Sequence, residues 1–327
     1  MPKVKVSVII PVYNVSAYIE RCARSLFEQT LDDMEYIFVD DCSSDNSVGI
    51  LERVVLDYVG KLDASRVKIV RHPRNEGVSI ARNTGLNLAV GDYIAYCDAD
   101  DYPSGSMYEK LYDQAIKADA DVVYCDFWMD DQEGKHYYAT PECMDDKTTF
   151  LRRYIASGWT VLWNMITKRD LYLAYGLQCP GHITYCEDFH LSVRLLYHAR
   201  KIIKVNEALY DYNQRNQSSA MRNRGPRQEK DEQTVCLDLI DFFSKEGVLA
   251  DYKREMSWRV LKSKQEMVLD PERHAAFLQL YPESHDYIDS CPNSFCNRKI
   301  RLMMRLLARN KRWMVLVIIC FRKLLGR

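Results

Sequence analysis

Tyr93-Ile94-Ala95-Tyr96-Cys97-Asp98-Ala99-Asp100-Asp101 decides how the rest of this 327-residue chain is read, because an apolar strand there runs directly into three carboxylates. Residues two apart in an extended backbone face the same way, so Asp98 and Asp100 point together. Like charges held that close repel, and a hard divalent ion relieves the repulsion. Mg²⁺ or Mn²⁺ suits such oxygens, using one or two protein carboxylates and completing its shell with water and substrate phosphates. A plainer reading stays open, since Asp also caps helices and tolerates tight turns, and Pro103 and Ser104 look like a helix entry.

Working outward, short apolar runs alternate with amphipathic segments through residue 130, the pattern of βαβ units in a mostly parallel sheet. Strands are expected at 6–10, 36–39, 67–70, 93–97 and 122–125, each short enough to be a buried strand rather than a helix. Ile19, Cys22, Ala23, Leu26 and Phe27 form the stripe of a first covering helix. Val48, Leu51, Val54, Val55 and Tyr58 mark a second, and a third runs over 78–89 with Ala81, Gly85 and Leu88 on one side. Ligands of open α/β sheets bind at the carboxyl ends of the strands. That rule selects 11–14, 40–45, 72–77 and 98–101, all polar or turn-forming.

Composition narrows the class. A 47% hydrophobic content fits a globular protein with a substantial core. The eleven cysteines form no Cys-x-x-Cys pair, and reduced thiols in the cytoplasm are expected rather than a disulfide framework. The first eleven residues read as a strand rather than as a secretory leader. No Gly-x-Gly-x-x-Gly follows the first strand, where Pro11-Val12-Tyr13-Asn14 stands instead, and no Gly-x-x-x-x-Gly-Lys-Ser/Thr occurs. These absences argue against a dehydrogenase and a P-loop nucleotidase. A sugar nucleotidyltransferase would need a glycine-rich basic loop after that strand, which is also missing.

Taken in order, the strand ends give Pro11-Val12-Tyr13-Asn14, Val39-Asp40-Asp41-Cys42-Ser43-Ser44-Asp45, Asn75-Glu76-Gly77-Val78-Ser79-Ile80-Ala81-Arg82-Asn83, Asp98-Ala99-Asp100-Asp101 and Glu187-Asp188. That set resembles the family 2 glycosyltransferases over roughly residues 4–220, a resemblance carried by five segments in order rather than by any one. It implies an α/β fold of the GT-A type, a nucleotide-binding sandwich with a mostly parallel central sheet. Here a C-terminal helical region and a basic amphipathic tail would follow.

The expected divisions are 1–225 for the transferase domain, with a nucleotide-sugar half 1–130 and an acceptor half 131–225, then 226–297 and 298–327. The resemblance further implies an inverting, metal-dependent transfer from a nucleotide diphosphate sugar, with UDP the expected nucleotide, to a hydroxyl of a glycan or lipid-linked acceptor of the surface-polysaccharide type. Mg²⁺ or Mn²⁺ would be held by Asp100 and Asp98. Pro11, Tyr13, Asn14, Asp41, Arg82, Asn83 and Asp98 would hold the nucleotide, with Tyr13 as a stacking face and Asp41 accepting from uracil N3–H. Asp188, with Glu187 beside it, would be the base.

Two plainer readings stay open: an Asx turn at Asp41 and a surface ion pair at Arg82. Trp159, Trp163 and Asn164 fall where this family shapes its acceptor pocket, and core packing accounts for the two tryptophans equally well. Tyr212, Arg215 and Ser218 resemble a loop that reaches the diphosphate, with Arg215 as the phosphate contact. A second function stays in view, a non-catalytic, membrane-associated nucleotide-sugar-binding subunit of a polysaccharide assembly complex. The joint presence of Asp98, Asp100 and Asp188 argues against it.

The net charge of −1 conceals an asymmetry: residues 298–327 hold ten Lys and Arg and no acid, leaving −11 for the rest. Ile300, Met303, Met304 and Leu307 recur at helical spacing there, with arginines on another face, as in a basic amphipathic helix. The apolar run 313–321, about 14 Å long as a helix, is too short to cross a hydrocarbon core of about 30 Å. Peripheral attachment to the anionic inner face of the cell membrane is expected, with packing on the domain or on a partner protein as the alternative. Nucleic acid is not an expected partner, because the main domain is acidic.

Overall fold

The computed structural model describes residues 3–144, 146–158, 160–216 and 225–324. Trp159 and Ser218 lie outside them. The chain divides into two compact units, one made of Met1–Phe150 with Thr160–Asn223, the other of Leu151–Trp159 with Arg224–Arg327.

The first unit is built on one nine-stranded sheet. Its strands are β1 (Val6–Val12), β2 (Met34–Asp40), β3 (Val67–Arg71), β4 (Tyr93–Tyr96), β5 (Tyr102–Pro103), β6 (Val122–Asp131), β7 (Gly134–Tyr138), β8 (Met165–Lys168) and β9 (Ile202–Asn213). They run in the order β3-β2-β1-β4-β8-β6-β9-β5, with β7 paired to β6. β3, β2, β1 and β4 are mutually parallel, so their carboxyl ends gather on one edge.

The expected strands and helices of this half are present, and their apolar patterns explain them. β2 is buried at every position, as a strand covered on both faces must be. Helix α1 (Ile19–Phe27) buries Ile19, Cys22, Ala23, Leu26 and Phe27, and α2 (Ser47–Asp57) buries Leu51 and Val54. Helix α3 (Val78–Leu88) lies against β1 at Gly85, where an added Cβ would stand 2.3 Å from Ile9 Cγ2. Only glycine permits that approach.

Helices α4 (Met107–Ala118), α5 (Lys147–Ser157), α6 (Arg169–Tyr175) and α7 (Glu187–His198) follow. β8 and β9 were not legible in the sequence. β8 has only four residues, and it enters antiparallel between β4 and β6. β9 is partly exposed along its first half and pairs with β6 through register shifts around Asp126, so its alternation is irregular.

The second unit is helical, with α8 (Pro226–Lys245), α9 (Leu249–Ser263), α10 (Gln265–Leu269), α11 (His274–Gln279), α12 (Arg298–Ala308) and α13 (Arg312–Leu324). Two expectations are corrected here. Residues 151–159 do not stay with an acceptor half; they join this unit, where Arg259 Nε donates to the Ile155 carbonyl at 2.8 Å. The stripe Ile300, Met303, Met304 and Leu307 does not face a membrane either. It is buried against Leu261, Val268 and Phe277 in the unit's core, because a helix with one apolar face buries that face wherever a complementary surface exists. Among the described residues no helix is long and apolar enough to cross a membrane.

Candidate active site

At the carboxyl edge of the parallel strands, the loops after β1 and β2 are laced together by side chains. Asn14, with φ of 52°, accepts at Oδ1 from Ser44 N (2.8 Å), Ser44 Oγ (3.2 Å) and Asp45 N (3.3 Å). Its own N–H donates to Ser43 Oγ at 3.1 Å, and Ser16 N donates to Asp45 Oδ2 at 2.9 Å. The Asn14 side-chain oxygen is therefore a brace between two loops rather than a free group. Pro11 pairs with Val39 in the ladder, and Tyr13 stands 48% exposed beside it, a ring face open for stacking.

Asp41 is buried and does more than form a local turn. It accepts from Glu76 N (2.9 Å), Gly77 N (2.7 Å) and, across the His72 ring, Nδ1 at 2.8 Å. His72 Nε2 in turn meets Thr84 Oγ1 at 3.0 Å. Three of roughly four acceptor directions on the carboxylate are filled. The loop into α3 is thereby fixed, with Gly77 at φ of 92° supplying the left-handed turn.

Helix α3 then presents Ser79, Arg82 and Asn83, spaced i, i+3, i+4 and so on one face, to the segment that precedes α7. Ser79 Oγ donates to the Ile183 carbonyl at 2.5 Å. Asn83 and Cys179 exchange two hydrogen bonds, Nδ2 to the carbonyl at 2.8 Å and the Cys179 N–H to Oδ1 at 2.9 Å. Asn83, expected on the nucleotide, has both ends of its amide bonded to Cys179, and so straps α3 to the segment ahead of α7. Its amide is consumed by backbone that would otherwise go unpaired.

Arg82 is the centre of the site. Its buried guanidinium donates from Nη1 to Glu187 Oε1 (2.6 Å) and Asp188 Oδ1 (2.5 Å), and from Nη2 to Asp98 Oδ1 (3.0 Å). One cation thus joins the end of β4 to the start of α7, ninety residues apart in sequence. The plain alternative of a surface ion pair does not hold for it. Burial works against its charge, but Asp188, Asp98 and Glu187 hold it firmly protonated.

The acids beyond β4 divide into two environments. Asp101 is buried and structural, accepting from Asn213 N (2.7 Å) and Tyr210 OH (2.9 Å), and burial pushes its carboxyl well up. Asp100 accepts from Asn216 Nδ2 at 2.7 Å, while Asn213 Nδ2 donates to its carbonyl at 3.0 Å. Burial and the Asp98 charge push Asp100 up to about 6. Asp98 Oδ2 accepts no hydrogen bond among the described residues.

Asp188 lies in the first turn of α7, after Cys186 at φ of 66°. Burial, with Glu187 and Asp98 nearby, pushes its carboxyl up against the opposing pull of Arg82.

Other expected contacts fall elsewhere. Trp163 is 2% exposed and stacks on Tyr210 and Tyr212, with ring centroids 4.5 and 5.3 Å away, so it is core rather than acceptor surface. Asn164 is buried too, its Nδ2 donating to the Cys125 carbonyl at 2.7 Å. Both expectations read polar or aromatic identity as exposure, and the sheet interior claimed them instead. Arg215 is half-exposed and pairs with Asp130, its Nη2 at 2.8 Å. Asn213 and Asn216, which brace the acidic turn, carried no sequence signal beyond their place in a polar loop.

Comparison with known proteins identifies the family. Residues 7–185 match the family described as Glycosyl transferase family 2. The uncharacterized glycosyltransferase EpsJ of Bacillus subtilis is 30% identical over 275 residues, covering 81% of this chain and 77% of that protein. Glycosyltransferase GlyG of Streptococcus pneumoniae is 26% identical, over 80% of this chain and 92% of its own length. Among solved structures, S. aureus TarS 1-349 in complex with UDP-GlcNAc shares the fold at a TM-score of 0.66 and 19% identity, covering 99% of this chain and 92% of that one. With more than half of its length inside the family match, an EpsJ relationship at 30% identity and the acidic strand ends on one sheet edge, the chain belongs to glycosyl transferase family 2.

Proposed function

We propose that the chain moves a sugar from a UDP-linked donor to a hydroxyl of a glycan or lipid-linked acceptor, with inversion at the anomeric carbon, in the assembly of a surface polysaccharide. The observation that carries this reading is the Arg82 bridge, which joins Asp98, just after β4, and Asp188, at the start of α7, on one guanidinium. Family membership supports glycosyl transfer, and the UDP-GlcNAc complex of TarS supports the donor class.

Asp98 and Asp100 are the carboxylates that would hold a divalent cation. Burial and the Asp98 charge raise Asp100, and carboxylate oxygens of this kind suit an ion that takes its remaining ligands from water and diphosphate. When bound, Mg²⁺ or Mn²⁺ would neutralise charge on the departing diphosphate; the solved mannosyltransferase PcManGT of Pyrobaculum calidifontis, TM-score 0.53, carries Mn²⁺ with GDP-Man. Tyr13 offers a face to the base, and the remaining acceptor direction of Asp41 suits a ring N–H. Asp188, its proton affinity raised by burial, is suited to take the proton of the acceptor hydroxyl as its oxygen attacks the anomeric carbon. A single attack from the face opposite the leaving group inverts that carbon.

The tail contributes a further part of this reading, peripheral attachment to the anionic cytoplasmic face of the membrane, supported by its ten cationic and no acidic residues.

Incubation with a panel of nucleotide sugars and Mn²⁺ should release UDP from one of them in an acceptor-dependent manner, and Asp100→Ala should abolish that release. Nucleotide-sugar binding without turnover across a broad acceptor panel would instead make the chain a non-catalytic binding subunit.

A further inference from the structure

The apolar residues of α12 and α13 divide between two faces. Ile300, Met303, Met304, Leu307, Val315 and Ile319 enter the core of the helical unit. A second set, Trp313, Val317 and Phe321, recurs every four residues along α13 and stands 67, 46 and 61% exposed. Residues at i, i+4 and i+8 share one helix face. Single exposed apolar side chains are ordinary, but three large ones in a row on one helix mark a surface meant to be covered.

The chemistry around this stripe selects its occupant. Exposed Arg309, Lys311 and Arg312 stand immediately before Trp313, and no acid follows residue 297. A soluble partner matching that surface would have to be acidic and apolar at once. An anionic phospholipid surface has both properties, with phosphates for the cations and acyl chains a few ångströms deeper. Tryptophan at the boundary of such a stripe is suited to the headgroup level. At thirteen residues α13 is about 20 Å long, enough to lie in an interface and too short to span one.

We infer that the outward face of α13, Trp313, Val317 and Phe321, with Arg309, Lys311 and Arg312 at its start, is an interfacial docking surface for anionic phospholipid. This rests on the membrane reading of the tail given above and moves the contact from the buried α12 stripe to α13.

Flotation of the full chain with vesicles tests it. Wild type should float with equimolar phosphatidylglycerol–phosphatidylcholine vesicles and stay behind with phosphatidylcholine alone. Trp313→Ser with Val317→Ser should weaken partition at least about tenfold. Arg309→Glu with Lys311→Glu should weaken it by a similar factor, and more so at low salt.

The substituted side chains are exposed, so thermal melting and nucleotide release in free solution should match wild type, which separates loss of docking from loss of fold or enzyme. If wild type floats and the Trp313→Ser, Val317→Ser chain floats equally, the tail reading stands and this face is the wrong one. If wild type ignores anionic vesicles, or is a dimer in solution that those two substitutions dissolve, the lipid assignment is overturned.

Discussion

Arg82 shows how much of this site is a question of charge balance. Three carboxylates, Asp98, Glu187 and Asp188, share one guanidinium, and Asp100 adds a fourth acid to the same edge. Sharing one guanidinium among these acids makes Arg82 hard to replace. Arg82→Met leaves buried acids without their partner and should lower unfolding free energy by about 3–5 kcal/mol in urea titration. Arg82→Lys, a point charge in place of a fork, should recover part of that. Asp188→Asn keeps the shape and removes the proposed base, so kcat should fall by about 10²–10⁴ while donor KM changes little; an equal loss in donor binding would move Asp188 from proton transfer to positioning. Asp100 gives a pH dependence of defined sign. In the metal role proposed above, with its carboxyl raised to about 6 by burial and Asp98, protons would compete with the cation below that pH, so apparent Mn²⁺ affinity should fall as pH drops through about 6. Mn²⁺-dependent donor binding by calorimetry at pH 5 and 7 reads it directly.

At the scale of elements, helix α3 positions most of the site, and its placement depends on one missing methyl group. Gly85→Val sets a branched side chain against Ile9, where even a Cβ would lie 2.3 Å from Cγ2. It should cost about 1–3 kcal/mol, and Ile9→Ala in the same chain should recover part of the loss, a coupling that a double-mutant cycle measures. The parallel half of the sheet was legible because buried strands and amphipathic helices print their periods in sequence, as in 36–39 and in the Ile19 to Phe27 stripe. β8 and β9 were not, since a four-residue strand and a half-exposed, bulged one carry little period. The acids at the strand ends were legible for a different reason, their chemistry being unusual after an apolar run. What sequence could not give was the partner of each polar group. Asn83 and Asn14 read as ligand contacts, and in the structure their amides brace backbone, because an amide beside a chain turn readily meets the backbone around it. Ser79, Arg82 and Asn83 do fall on one helix face by spacing alone, and that regularity was available as a signal for the strap.

For the whole molecule, the chain joins a unit that does chemistry to a helical unit with its own core, and the second has a distinctive dependence on pH. Lys264 is fully buried there, with Nζ 3.1 Å from Ser284 Oγ, 3.4 Å from the Tyr281 carbonyl and 3.3 Å from His285 Nε2. Among the described residues no carboxylate is within ion-pair distance of it. Burial lowers the ammonium to about 7, only partly opposed by Glu283, and burial likewise holds the facing His285 ring down to about 4, uncharged near neutrality. In the unfolded chain the same amine titrates near its ordinary value of about 10.4. Between those two values the unfolded state carries the extra proton, so this group makes the protein more stable as pH rises from about 7 toward 10. Below 7 both states are protonated and its contribution is constant and unfavourable. Tyrosines and thiols also titrate in this range, so the informative quantity is a difference between two chains. Lys264→Met, close in length and apolar, should be more stable than wild type at pH 7, with the gap narrowing steadily toward pH 10. Urea unfolding of both chains at unit steps of pH measures it, and a gap that stayed constant across that range would mean that Lys264 keeps its proton when folded.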